Sequence, residues 1–167
     1  IDALLADKKV DKKIEQKLHY AKKNYPKAIE YFQKAIISNN LTKDWRNLGI
    51  AHVNLANVYV DKNDYSTAMR ELNKSIDNFT KVDFKRGLQV VYNNLGAMNI
   101  RQKNYEAAIP LLQKGLELAK MNQSTAGVAL IEQNIAYTLF LSNQYEKALE
   151  WFIKAEKTAI ESKADEY

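Results

Sequence analysis

Asn94-Leu95-Gly96, with Tyr105, Ala108 and Leu112 after it, is a pattern that recurs along this chain of 167 residues. Forty residues earlier the same pattern is Asn54-Leu55-Ala56 with Tyr65, Ala68 and Leu72, and forty residues later it is Asn134-Ile135-Ala136 with Tyr145, Ala148 and Phe152. A weaker fourth copy runs through Ile14, Tyr25, Ala28 and Phe32. A fixed period of this size is typical of an array of helical repeats.

Each forty-residue unit predicts two amphipathic helices joined by a short polar turn. In the second helix, the tyrosine, the alanine three residues later and the large apolar residue four residues after that lie on one face. One pair of helices cannot bury its apolar face alone, so neighbouring pairs must stack. The sequence therefore predicts an all-α fold, a right-handed α–α superhelix of four helix pairs.

The repeat register sets the expected boundaries. The four repeats should occupy about residues 9–43, 44–83, 84–123 and 124–161. Residues 1–8 are expected to be an N-terminal cap or the end of a preceding helix, and residues 162–167 a truncated polar tail. From the second helix of the first repeat onward, helices are expected at about 25–38, 44–61, 64–80, 84–102, 104–121, 124–142 and 144–161.

These residues resemble the tetratricopeptide repeat, an antiparallel helix pair with a large-small pair in its first helix and a Tyr-Ala-Phe-Ala series in its second. The tryptophan of the family's first helix is replaced here by Lys12, His52, Tyr92 and Glu132. The forty-residue period exceeds the usual one of about 34 residues. It is similar to the long variety found in kinesin light chains, spindle-orientation adaptors and bacterial peptide-pheromone receptors. Phe84-Lys85-Arg86-Gly87 also resembles sensor regions of bacterial histidine kinases and transcription regulators.

Composition argues against catalytic, metal-binding and membrane-inserted classes. The chain has no cysteine, only two histidines, His19 and His52, and five scattered glycines. This leaves little material for a nucleophile–base pair, a metal site or a phosphate-binding loop, and both histidines take the places of core residues. No apolar run approaches the roughly 18 residues that span a bilayer. We therefore expect no enzyme, no cofactor, no metal and no direct membrane insertion.

The net charge of +5 raises the question of nucleic-acid binding, because lysines are frequent from Lys8 to Lys34. These lysines alternate with Asp11, Glu15 and Glu30 and are not interleaved with arginine and aromatic residues. A solvated helix face explains this composition better than a nucleic-acid interface. We expect no nucleic-acid partner.

The polar residues that point to a partner are Asn54, Asn94 and Asn134, one in each of three first helices. The resemblance implies that first helices line a concave groove, where these residues would form an asparagine ladder. A primary amide has donors and an acceptor, so it can pair with the backbone of an extended peptide or protein segment. Further candidate contacts are Asn57, Asn93, Arg101, Gln133 and Tyr137, with side-chain pockets formed by Ile50, Val53, Leu130 and Tyr137. In the first repeat, Lys13 and Lys17 could receive a peptide carboxylate. The alternative is that the asparagines only brace the stack.

Two functional hypotheses follow. The first is a peptide-binding scaffold, and the second is a ligand-sensing regulatory region of a larger bacterial signalling protein. The compartment stays open between the cytoplasm and, for the sensor of a membrane kinase, the periplasm. At the C-terminal end, Leu139, Phe140, Trp151 and Ile160 are expected to leave apolar surface under-covered. We expect the natural chain to continue there, or else a homodimer to form through this end.

Overall fold

The computed structural model describes residues 24–164, which form seven α-helices and no strand. The helices are α1 (Tyr25–Leu41), α2 (Trp45–Asp61), α3 (Tyr65–Lys81), α4 (Lys85–Arg101), α5 (Tyr105–Met121), α6 (Thr125–Leu141) and α7 (Tyr145–Ala164). The predicted all-α class is confirmed. The segment 1–8, the first helix of the first repeat, Lys13 and Lys17 lie outside the described residues.

The predicted helix boundaries agree with the observed ones to within three residues. The two largest differences are at C-terminal ends, where α1 continues to Leu41 and α7 to Ala164. The chain divides into two compact units, residues 1–82 (unit 1) and 83–167 (unit 2). Unit 1 contains α1, α2 and α3, and unit 2 contains α4 to α7.

All six connections between helices have the same three-residue construction. The middle residue of each has a positive φ, near 50–60°, and these residues are Lys43, Asn63, Asp83, Lys103, Gln123 and Asn143. In the turn after α2, the amide of Asp64 donates to the Tyr59 carbonyl at 2.8 Å, which closes the helix end. The Asp64 carboxylate then accepts from the Thr67 amide at 3.1 Å, which caps α3. One residue therefore ends one helix and starts the next, and helices begin every twenty residues.

Unit 1 has its core between α2 and its two neighbours. Phe32 and Ala28 of α1 pack against Leu55 and Val58 of α2. On the other side of α2, the absent side chain of Gly49 leaves room for the Phe79 ring of α3, which an added Cβ would strike. This close approach follows from a small residue facing a large one, as the repeat register requires.

Unit 2 is stabilised by a similar contact between a glycine of α4 and a large side chain of α5, and by a larger aliphatic cluster between α5 and α6. A Cβ on Gly96 would lie 2.5 Å from Leu112 Cδ2, so glycine is needed for α5 to approach α4. Leu112, Leu116 and Ala119 of α5 pack against Ile131, Ile135 and Leu139 of α6. The alanines predicted at close helix contacts are all buried: Ala28, Ala68, Ala108 and Ala148.

The prediction of under-covered apolar residues near the C-terminal end is confirmed in part. Phe140 and Ile160 are exposed, and Trp151 is half-buried. For Leu139 the prediction is wrong, because this side chain is buried in the cluster between α5 and α6. The helix α6 packs on two sides, so it buries more than the single stripe that the pattern indicated.

Candidate functional site

A buried polar group joins α2 to α3 in unit 1. His52 Nδ1 lies 2.7 Å from Glu71 Oε2, and Lys74 Nζ donates to Glu71 Oε1 at 2.8 Å. Burial lowers the pKa of His52 below its ordinary value, against the opposing effect of the Glu71 hydrogen bond. Burial also acts to raise the pKa of Glu71, but the hydrogen bonds from Lys74 and His52 outweigh it and lower that pKa. Neutral His52 therefore donates to an ionised carboxylate, and its predicted core position is confirmed.

A second buried carboxylate joins α6 to α7 in unit 2. Glu132 is 1% exposed, with Lys154 Nζ at 3.1 Å from Oε1 and Thr158 Oγ1 donating to Oε2 at 2.8 Å. Both oxygens of Glu71 and both oxygens of Glu132 thus have partners inside the fold. This is the arrangement of a structural brace, and it leaves no carboxylate oxygen free for acid–base chemistry. Within residues 24–164, no cluster of three or more His, Asp or Glu side chains could hold a metal ion.

A lysine of the second helix recurs at these braces, and sequence reasoning missed it. The lysines are spaced by forty, at Lys34, Lys74, Lys114 and Lys154. Lys114 Nζ lies 4.6 Å from the centroid of the Tyr92 ring, and Lys154 Nζ lies 4.4 Å from that of Trp151. Three of these lysines therefore contact a residue that replaces the family's tryptophan, or that residue's partner. Lys74 pairs with Glu71, the partner of His52, and Lys154 pairs with Glu132. Lys114 lies over the ring of Tyr92. The forty-residue spacing of the lysines was a signal that could have found them.

In unit 2, amide and apolar side chains share one face of α4 and one of α6. On α4 this face contains Val90, which is exposed, and the half-buried Asn93 and Asn94, with Arg101 exposed at its end. On α6 it contains exposed Leu130, Gln133 and Tyr137 and half-buried Asn134. The spacing of three and four residues is that of one helical face. Sequence-predicted candidates are therefore accessible on both helices.

Asn134 connects these two faces. Its Nδ2 donates to Asn93 Oδ1 at 2.7 Å, so consecutive first helices are joined by a bond between side chains. The bond uses one of the two N–H groups of Asn134 and one acceptor lone pair of Asn93. The bracing role that the sequence left open is thus present at Asn134.

In unit 1, the equivalent face of α2 carries Asn54 and Asn57, both half-buried, beside the exposed Ile50. Val53, expected to line a pocket for a ligand side chain, is only 7% exposed. That expectation is wrong, because an enclosed valine stabilises the fold and offers no surface to a ligand. In the described part of the chain, no helix has the length and apolarity to cross a bilayer.

Two profiles of the tetratricopeptide repeat match residues 50–78 and 88–161. The chain belongs to the tetratricopeptide repeat family. Together with the helices described above, this match confirms the predicted helical-repeat solenoid class. A search of curated proteins gave no significant match to this tetratricopeptide repeat chain.

Solved structures with the same fold come from several proteins. BtubC (BKLC) from P. vanneervenii is 16% identical, with a TM-score of 0.78 over 95% of this chain and 70% of that one. RapI is 18% identical, with a TM-score of 0.81 over 91% of this chain and 56% of that one. Aspartyl phosphate phosphatase F from Bacillus subtilis is 15% identical, with a TM-score of 0.64 over 89% of this chain and 48% of that one. At these identities the likeness shows the fold alone, and this tetratricopeptide repeat chain spans about half the length of the last two.

Proposed function

We propose that this chain is a protein-binding scaffold without chemistry of its own, which holds an extended peptide segment on the first helices of its repeats. The observation that carries the proposal is the face of α4 and α6. It combines the amides of Asn93, Asn94, Gln133 and Asn134 with the exposed apolar side chains of Val90, Leu130 and Tyr137. Amides pair with a peptide backbone, and apolar neighbours receive its side chains.

The charges on these two helices favour an acidic segment. Arg86 and Arg101 belong to α4, and the only acid in α4 or α6 is Glu132, which is buried against Lys154. Lys85 of α4 is in an ion pair with Asp83 at 3.6 Å and is not counted here. A segment with a carboxylate near Arg101 and an apolar side chain near Tyr137 would complement this face. In unit 1, Asn54 and Asn57 would provide amides of the same kind, and Lys13 and Lys17 remain candidate contacts for a carboxylate.

The test compares affinity and stability in the same variants. Peptides selected on the wild-type chain from a random library would be titrated against Asn94→Ala and Tyr137→Ala, with Gln113→Ala on the exposed side of α5 as the matched control. Loss of a hydrogen bond or an aromatic contact of about 1–3 kcal/mol should weaken binding roughly 5- to 150-fold. Thermal unfolding of Tyr137→Ala, and both properties of Gln113→Ala, should stay near those of the wild type, and the affinity of Asn94→Ala is compared after correction for its folded fraction.

Two outcomes would contradict the proposal. One is unchanged affinity in both Asn94→Ala and Tyr137→Ala. The other is a loss of stability in Asn94→Ala that accounts for the whole loss of binding, which would make this asparagine a brace. Asn134→Ala should lose both affinity and stability, because Asn134 donates a hydrogen bond to Asn93.

The alternative is a ligand-sensing region of a larger bacterial signalling protein. It is compatible with the lengths of RapI and aspartyl phosphate phosphatase F, which share the fold and are both longer than this chain. A sensor must change conformation on binding, whereas a passive scaffold need not. Dyes placed at exposed Gln33 and Lys157 would report a change in energy transfer with a bound peptide in the sensor, and an unchanged signal in the scaffold.

A further inference from the structure

Two aliphatic side chains occupy the same position of the repeat on the face of α4 and α6. Val90 of α4 and Leu130 of α6 are forty residues apart, and they are 43% and 52% exposed. The exposure belongs to this position of the repeat, because Val90 is exposed although α6 follows it and lies next to α4. Each of the two helices therefore presents one exposed aliphatic contact point.

The distance between these two contact points follows from how α4 and α6 lie side by side. Cα atoms of the two helices approach within 8 Å of each other. Asn134 donates to Asn93 at 2.7 Å, so nearly equivalent residues of the two helices are neighbours. Val90 precedes Asn93, and Leu130 precedes Asn134, by about one helical turn. Because the axes of packed helices are about 8–10 Å apart, Val90 and Leu130 are separated by a similar distance.

A bound segment must place two side chains on one side of its backbone at this distance. In a β-strand, side chains on one side are about 6.5–7 Å apart at i and i+2, and about 13 Å apart at i and i+4. In a polyproline II helix, residues i and i+3 are on the same side and about 9.3 Å apart, because three residues make one turn. The polyproline II spacing matches the two contact points, and the β-strand spacings do not.

An α-helix offers a similar distance of about 10.5 Å at i and i+7, but it does not match the polar groups of this face. Its backbone N–H and C=O groups are bonded within the helix, whereas the polyproline II backbone has no internal hydrogen bonds. Asn134 uses one N–H group in its bond to Asn93, and its amide has a second N–H and an acceptor oxygen. Exposed Gln133 adds another amide. These amides favour a polyproline II segment over a helix.

We propose that this face binds a segment in the polyproline II conformation, whose aliphatic side chains at i and i+3 contact Val90 and Leu130, one each. The proposal rests on the peptide-binding function proposed above and specifies the kind of segment. Arg86 is exposed one turn before Val90 on α4, so a carboxylate beside the aliphatic residue on Val90 complements this end of the face. The partner is therefore an acidic segment with two aliphatic residues separated by two others.

The first experiment determines the spacing that the chain selects. Three displayed libraries of nine-residue peptides would each contain two leucines, with one, two or three residues between them and randomised residues elsewhere. We expect the wild-type chain to enrich the library with two intervening residues. Proline should be enriched between the leucines, because it fixes φ near the polyproline II value and lowers the entropy lost on binding.

The second experiment tests the contacts of the tightest peptide from the library with two intervening residues. Val90→Ala and Leu130→Ala would each be combined with alanine at either leucine of the peptide, with Ile37→Ala, at an exposed isoleucine of α1, as the control. Val90→Ala and Leu130→Ala should each weaken binding about fivefold or more. The effect should fall below about twofold when the leucine that contacts the substituted residue is already alanine. Ile37→Ala should change the Kd by less than about twofold.

Three results would overturn the proposal: enrichment of the library with one or three intervening residues, coupling of Val90 and Leu130 to the same leucine, or a gain of helix in the circular dichroism of the complex. Peptides of another spacing that bind more weakly to Tyr137→Ala would leave the peptide-binding function intact and refute only the polyproline II segment. Failure of the wild-type chain to enrich any of the three libraries would count against both proposals.

Discussion

Acidification should destabilise unit 1 in two steps, because His52 and Glu71, which join α2 to α3 (the α2–α3 brace), titrate differently in the folded and unfolded chain. The pKa of His52 is lowered by burial, so the unfolded chain takes up this proton at a higher pH than the folded one. The contribution of neutral His52 to the free energy of unfolding is therefore fully present above the ordinary pKa of about 6.5, and it is lost as the pH falls below that value. The pKa of Glu71 is also lowered, so a second loss follows as the pH falls below about 4.5.

The size of the first step is bounded by one proton. If His52 stays neutral in the folded chain, the free energy of unfolding falls by about 1.4 kcal/mol between neutral pH and pH 5.5. Removal of the carboxylate is a separate effect. Glu71→Gln should cost about 1.5–3 kcal/mol at neutral pH, because it replaces a charge-assisted bond to a buried imidazole. Lys74 adds little to this figure, since its side chain is half-exposed.

The assay is urea denaturation followed by the fluorescence of Trp45. The chain has two tryptophans, so a Trp151→Phe background leaves Trp45 as the reporter of unit 1. The wild type, His52→Gln and Glu71→Gln would be compared at pH 7.5, 5.5 and 4, with His19→Gln as control for the other histidine. We expect His52→Gln to remove the loss between pH 7.5 and 5.5, and Glu71→Gln to retain it. A loss of equal size in His52→Gln would show that another group is responsible and would refute this account of the brace.

Two further predictions concern glycine and the turns. Gly96→Ala should lower the free energy of unfolding by about 1–3 kcal/mol, because the added Cβ would meet Leu112. Gly115→Ala should raise it by about 0.5–1 kcal/mol through helix propensity, because no contact of the added Cβ is shorter than 3.4 Å. Calorimetry that gave both changes the same sign would contradict the packing. Lys103→Gly should stabilise the chain by roughly 0.5–1 kcal/mol, because φ is 60° there and glycine adopts this conformation without strain; a lower melting temperature would contradict this.

The order of the helices and the face that each one buries could be predicted, because the apolar stripe of each second helix recurs every forty residues. A tyrosine begins each second helix, and the alanine three residues after it is buried. These tyrosines are spaced by forty residues: Tyr25, Tyr65, Tyr105 and Tyr145. The predicted helix starts already placed a turn about every twenty residues, but the left-handed conformation of the middle residue of each turn was not predicted. Lys103 and Gln123 are poor indicators of a left-handed residue, so composition did not reveal that turns within and between repeats are alike.

The pairing of polar side chains could not be predicted. Asn93 and Asn94 are neighbours on α4, and a count of 100° per residue places both near the same face. Which of them bonds to Asn134 depends on how α4 and α6 are placed relative to each other in the fold. The bond of Asn134 to Asn93 is therefore a tertiary property of the fold. The same holds for Glu132, whose partners Lys154 and Thr158 follow it by 22 and 26 residues.

The uniform turn also determines how a gene of this kind can change length. Deletion of residues 104–143 would join Lys103 to Gln144, the residue that follows the left-handed residue of an equivalent turn. The helix α4 would then be followed directly by α7, which occupies the same place in its repeat as α5. An in-frame loss or duplication of one forty-residue segment thus creates no new type of connection. Recombination between copies can lengthen or shorten the array in a single event, without an intermediate whose chain must first acquire a new turn.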